Sequence, residues 1–129
     1  MNIYVDSSTL VKMVIEEAES PALGRYFAEF SLDRQLTAAI SRTELVRAVA
    51  RRGATVENAR KALSKLAFVA ITNSLLDDAA ALAPPELRTL DAIHLTAALS
   101  APDLRALVTY DRRLADAAEQ AGLPVVSPR

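Results

Sequence analysis

The chain has 129 residues, 51% of them hydrophobic, and a formal net charge of −1. That length fits one domain with a real core, spanning residues 1–129, and the apolar content excludes a disordered chain. The absence of cysteine excludes disulfides, thiolate zinc sites and cysteine nucleophiles, and an aromatic content of 5% leaves little for stacking on bases. A near-neutral charge argues against a general nucleic-acid coat protein. No apolar stretch approaches the roughly 20 residues of a membrane span, and no basic region precedes the first apolar run. The expectation is a chain with no membrane span and no signal peptide, in a reducing cytoplasm.

Strand-like and helical runs alternate along the chain. Asn2 to Asp6 reads as a strand, and Ser8 to Glu17 as a helix with Leu10, Val11, Val14 and Ile15 at helical spacing. Ser20-Pro21 starts a second helix, with Ser as cap and Pro in the first turn, and Leu23, Phe27 and Phe30 line one face. Gln35 to Ala38 is a short strand. Ser41 to Arg52 is a helix ended by Gly53, and Thr55 begins another that runs to about Leu66.

In the second half, Ala67 to Thr72 is a β-branched strand, and Ser74 to Ala83 a helix stopped by Pro84-Pro85. Thr89 caps a helix from Leu90 to Leu99, closed by Pro102. Leu104 to Tyr110 contains a strand, Asp111 to Ala121 is a helix ended by Gly122, and Val125-Val126 is a last strand. This alternation predicts an α/β fold of three layers, α/β/α, around a central, mostly parallel sheet.

Four acids stand where such a fold would gather them. Asp6 ends the apolar run Ile3-Tyr4-Val5, and Asp111 follows Val108-Thr109-Tyr110. If the two runs are neighbouring parallel strands, both acids emerge at the carboxyl edge, where open α/β sheets bind ligands. Glu44 sits among helix formers and Asp91 opens Leu90-Asp91-Ala92-Ile93-His94-Leu95. Each acid also has an ordinary explanation. Asp6 and Asp111 suit helix caps, Asp91 suits the positive end of a helix dipole, and Glu44 suits an exposed helical position. Together they offer oxygen ligands from separate elements, the supply that Mg²⁺ or Mn²⁺ needs to act on a phosphate. Packed carboxylates repel, so without a cation one or more should titrate high.

Ser7, Ser8 and Thr109 adjoin the strand-end acids, where their hydroxyls would orient a carboxylate or hold a water. Local turn and cap bonding accounts for Ser8 equally well. Arg112 follows Asp111 and would contact phosphate or pair with an acid. His94, the single histidine, reads as a satisfied, partly buried side chain rather than a ligand. Arg47 and Arg51 lie three and seven residues after Glu44 and share its helix face, a candidate RNA contact. Arg42, Arg52, Arg60, Lys61 and Lys65 add to the positive character of this helical pair, although a solvated face is the usual fate of such charges.

The chain resembles the PIN-domain ribonucleases, specifically the VapC-type toxins of bacterial toxin–antitoxin pairs. Tyr4-Val5-Asp6-Ser7-Ser8-Thr9-Leu10-Val11-Lys12 resembles that family's opening strand and first acid, and Ser41-Arg42-Thr43-Glu44-Leu45 its second acidic motif. Leu87-Arg88-Thr89-Leu90-Asp91-Ala92-Ile93-His94-Leu95 is similar to its most specific stretch, and Val108-Thr109-Tyr110-Asp111-Arg112-Arg113-Leu114 to its last motif. The likeness implies an endoribonuclease that hydrolyses RNA phosphodiesters with metal-activated water and depends on Mg²⁺ or Mn²⁺. Asp6 and Asp91 would be the main metal ligands, completed by Glu44 and Asp111. It also implies a cognate VapB-type antitoxin and a homodimer, with Val11, Val14, Ile15, Leu63 and Leu66 offering apolar surface or, equally, core.

The same residues admit other readings. A receiver-like or other non-catalytic interaction module also carries strand-end acids, but here Ser7-Ser8 follow Asp6 and no Lys ends a late strand. A haloacid-dehalogenase-type hydrolase needs a second Asp where Ser8 stands. A PIN-type nuclease acting in RNA processing or on DNA would use the same metal site.

Overall fold

The computed structural model describes residues 1–129. Five strands form one sheet in the order β3-β2-β1-β4-β5, and every pairing is parallel. They are β1 (Asn2–Val5), β2 (Arg34–Ala38), β3 (Ala67–Val69), β4 (Leu104–Val108) and β5 (Val125–Val126). Between them run α1 (Ser7–Val14), α2 (Ser20–Glu29), α3 (Ser41–Arg51), α4 (Val56–Leu63), α5 (Asn73–Ala80), α6 (Thr89–Ser100) and α7 (Arg112–Gln120). Parallel strands need crossover helices, which cover both faces of the sheet and give the three layers.

The alternation of β1 sorts its side chains between two cores. Ile3 and Val5 face Leu10, Leu23, Leu45, Val49, Ala59 and Leu63 from the α1–α4 layer. Tyr4 points the other way, into the cluster built by α5, α6 and α7. All three are fully buried, as suits a central strand. The helix α6 is apolar on every side and buried from Ala92 to Ala98, so it packs within the protein rather than along its surface. Leu63 and Leu66 belong to the core and offer no docking surface. Val11, Val14 and Ile15 pack against the same cluster while half-buried.

Several boundaries differ from the sequence expectation, each for a local reason. Ser20 lies inside α2 rather than capping it; Glu19 is the N-cap, and the Ser20 hydroxyl donates to the Lys12 carbonyl at 2.7 Å. The strand expected over 67–72 ends at Val69, because Thr72 caps α5 by accepting the Leu75 amide at 3.1 Å. Arg88, not Thr89, is the N-cap residue of α6.

Both glycine stops form the same helix end. At α7, the Gly122 amide donates to Glu119 and the Leu123 amide to Ala118, each at 3.0 Å, with Gly122 at φ +90°. This is the Schellman arrangement, which uses carbonyls the helix leaves open. Nothing lies within 4 Å of a Cβ added at Gly122, so the cost of a side chain there is torsional. Gly122→Ala should therefore lose about 1 kcal/mol in urea unfolding; an unchanged midpoint would mean the turn relaxes freely.

Candidate active site

The register of β1 against β4 pairs Val5 with Val108, which sets Asp6 level with Thr109 and leaves Asp111 two residues further along. Asp6 is 2% exposed and caps α1, its Oδ1 accepting the Thr9 amide at 3.1 Å. Thr109 donates its hydroxyl to Asp6 Oδ2 at 2.7 Å, and Ser8 donates to the same carboxylate at 2.8 Å from Oδ1. Each hydroxyl in turn accepts an amide from the turn after β4: Ser8 from Tyr110 and Thr109 from Asp111, both at 3.1 Å. The two hydroxyls thus tie the first acid to the loop that carries the last. Ser8 does more than cap locally, since its Tyr110 contact spans 102 positions of chain.

Asp111 is the N-cap of α7 and accepts the Leu114 amide at 3.1 Å. Capping and membership of an acid cluster are therefore compatible at both strand ends. Asp91, in the first turn of α6, is half-buried, and no hydrogen bond is among the influences on its carboxyl. Burial first, then the charges of Asp111 and Asp6, raise its pKa above the ordinary carboxylate value; His94 and Arg88 oppose them. Asp6, Asp91 and Asp111 therefore share one electrostatic neighbourhood.

Glu44 approaches from the first turn of α3. Its Oε2 lies 3.4 Å from the Ser7 hydroxyl, and its Oε1 lies 2.7 Å from His94 Nε2. His94 is 1% exposed and its other ring nitrogen, Nδ1, lies 2.7 Å from the Tyr4 hydroxyl. The histidine is satisfied, as the sequence suggested, but buried outright and in direct contact with one of the four acids. Neither that contact nor Tyr4's part in it follows from local sequence. The available signals were a tyrosine in an otherwise aliphatic strand, which needs a polar partner when buried, and a histidine one helical turn after Asp91.

Ser7, Ser8, Glu44, Arg47, Arg51 and Leu90 line a groove of about 500 Å³ beside this site. Arg52 pairs with Glu17 at 3.5 Å, whereas Arg47 and Arg51 have no carboxylate partner. Arg47 also borders a second groove, of about 580 Å³, with Arg42 and Arg60 between α3 and α4. Arg112 takes no ion pair either, and with Asp111 it lines a separate groove toward Ser127 and Arg129. Arg88, which the sequence did not single out, places positive charge near Asp91.

No three acidic or histidine side chains close into a ready metal cage. The donor set is nonetheless all oxygen, and one member is under like-charge stress. That combination fits a hard cation that keeps several of its waters, the habit of Mg²⁺, better than a fully dehydrated protein cage.

Comparison with known proteins identifies the family of the chain. The model of the PIN domain family matches residues 3–120. The chain is 43% identical over 128 residues to "Ribonuclease VapC46" of Mycobacterium tuberculosis (strain ATCC 25618 / H37Rv), covering 98% of this chain and 97% of that protein. It is 40% identical over 132 residues to "Ribonuclease VapC35" and 37% identical over 131 residues to "Ribonuclease VapC47", both of Mycobacterium tuberculosis (strain CDC 1551 / Oshkosh). Each of those matches covers 98% of this chain and 96% of the relative. No helix is long and apolar enough to cross a membrane.

Proposed function

The chain belongs to the PIN-domain ribonucleases of the VapC toxin type, and from that premise we propose that Asp6, Asp91, Asp111 and Glu44 form its RNA-cleaving centre. The observation that carries the assignment is Asp91: half-buried, without a hydrogen bond of its own, and raised in pKa by burial and by Asp111 and Asp6. A carboxylate left in that condition is costly unless a cation relieves it.

The residues fit Mg²⁺, with Mn²⁺ as a substitute, and Asp6, Asp91, Glu44 and Asp111 would hold it. When bound, such a cation supplies Lewis-acid polarisation of the phosphate and a water acidic enough to attack at neutral pH. The chain's own residues do the remaining work. Thr109 and Ser8 hold the Asp6 carboxylate in one orientation. Ser7 supports Glu44 at the mouth of the groove. Arg47 and Arg51, free of acidic partners, bind RNA phosphates along α3, and Arg112 supports the strand on the side of Asp111.

The same reading includes a cognate VapB-type antitoxin, assembly as a homodimer, and action in the cytoplasm. The groove that holds Arg47 and Arg51 has Val11 and Leu90 at its edge, a mixed charged and apolar lining suited to a protein segment as well as to RNA.

Substrate class is tested by offering single-stranded RNA and a DNA flap in parallel, in Mg²⁺ and in Mn²⁺. RNA cleavage that EDTA abolishes supports the reading; cutting of the flap alone would move the chain to DNA cleavage. The arginines are tested separately. Arg47→Ala with Arg51→Ala should raise KM for RNA about tenfold and flatten its salt dependence, with kcat less affected. An unchanged KM across a potassium chloride series would take both residues out of the RNA path.

A further inference from the structure

We propose that Tyr4 and His94 are a buried positioning pair that fixes the Glu44 carboxylate at the groove; this rests on reading Glu44 as part of the RNA-cleaving centre. The chain of contacts is short and complete. The Ala38 amide lies 3.0 Å from the Tyr4 hydroxyl, that hydroxyl lies 2.7 Å from His94 Nδ1, and His94 Nε2 lies 2.7 Å from Glu44 Oε1. It joins four elements, since Tyr4 is on β1, Ala38 ends β2, His94 is on α6 and Glu44 is on α3.

With the His94 ring neutral, one set of bond directions satisfies both ends. The Ala38 amide can only donate, so the Tyr4 oxygen accepts there, and with the ring neutral and Nε2 protonated the phenol proton goes to His94 Nδ1. A phenol keeps its proton at neutral pH, so the donor is present. With Nδ1 accepting, Nε2 carries the ring's proton and donates it to the Glu44 carboxylate. One neutral tautomer therefore satisfies every partner. The Glu44 carboxylate, an acceptor, faces Nε2 at 2.7 Å and favours the tautomer that carries its proton there.

The consequence falls on Glu44. It is the one acid of the four that lies on neither a strand end nor α6, and Ser7, at 3.4 Å, is a weak hold on its outer oxygen. The imidazole contact supplies the firm one. His94 and Tyr4 are 1% and 0% exposed, so neither can swing aside, and their rings meet edge to face with centroids 5.9 Å apart. The carboxylate keeps one oxygen pinned inward and the other turned toward Ser7 and the groove. Partners of this kind commonly change activity or metal affinity about 10- to 100-fold when removed.

The chain's single histidine makes the test clean. In the metal-free protein labelled with ¹⁵N, long-range proton–nitrogen correlation should show the neutral Nε2–H tautomer, with Nδ1 unprotonated and acting as acceptor. Tyr4→Phe should loosen that preference. In activity assays, His94→Phe, which fills the space without a donor, should lower kcat at least about tenfold with KM for RNA little changed. His94→Gln, whose amide reaches the Nε2 position, should recover most of the loss. An Nδ1–H tautomer in the wild type, or wild-type kcat in a folded His94→Phe, would overturn the proposal. If His94→Phe does not fold, the tautomer and the Gln variant still decide it. Full activity in Glu44→Gln would instead overturn the reading of Glu44 itself, and the tautomer measurement distinguishes the two failures.

Discussion

Asp91→Asn should yield a chain that melts higher than the wild type in EDTA yet cleaves RNA at least about a hundredfold more slowly. The loss of rate follows from the cation's share of transition-state stabilisation, several kcal/mol at about 1.4 kcal/mol per factor of ten. The gain in stability follows from the sign of the pKa shift. A carboxyl that titrates higher in the folded chain than in the unfolded one resists ionisation on folding, so its charge destabilises the native state at neutral pH. That penalty is absent below the unfolded pKa, grows as pH rises through the interval up to the folded value, and is constant above it. The variant should therefore match the wild type in acid and exceed it by a few degrees near neutrality. Adding Mg²⁺ or Mn²⁺ should reverse the order, because a cation at about 100 times its Kd stabilises the protein that binds it by about 2.7 kcal/mol. Heat melts at two pH values, with and without cation, check the stability terms, and an RNA-cleavage assay of both proteins checks the rate.

Asp6→Ala should act on stability in the opposite direction and by more. Asp6 is the acceptor for three donors, the Thr9 amide and the Ser8 and Thr109 hydroxyls, in a site only 2% exposed. Losing the cap alone costs about 1 kcal/mol. Each buried donor left without an acceptor adds about 1–3 kcal/mol where no water can enter. A total of about 3 kcal/mol or more is expected. Asp111→Ala removes a cap of the same kind, the Leu114 amide at 3.1 Å, from a half-exposed position, and should cost only about 1 kcal/mol. Urea unfolding of the two variants side by side measures the difference. Equal losses would mean that the Ser8 and Thr109 hydroxyls find other acceptors and do not hold Asp6.

These contrasts mark what the sequence could and could not reveal. The alternation of strands and helices was legible because each element carries its own period, and Gly53 and Gly122 punctuate it. The four acids were legible as strand-end and helix-start residues. The alignment between strands was not, because the pairing of Val5 with Val108 is a tertiary choice, and it makes Thr109 rather than Asp111 the direct neighbour of Asp6. Thr72 and Ser20 were misplaced for a related reason: a hydroxyl beside a helix start can serve as cap or as brace to a distant carbonyl, and only packing decides which. His94 is the clearest case. Its partners are 90 and 50 residues away in the chain, so its apolar helix predicted burial and said nothing of Tyr4 or Glu44.

The most direct test of the acid cluster as the RNA-cleaving centre is one cleavage assay on a mixed cellular RNA pool. Wild type and Asp91→Asn are compared in Mg²⁺, in Mn²⁺ and in EDTA, each sample freed of any co-purified partner and shown to be folded by its melt. Cleavage by the wild type in either cation, none in EDTA, and none by the intact variant is the predicted result. Cleavage by Asp91→Asn at the wild-type rate, or cleavage by the wild type that survives EDTA, would contradict it.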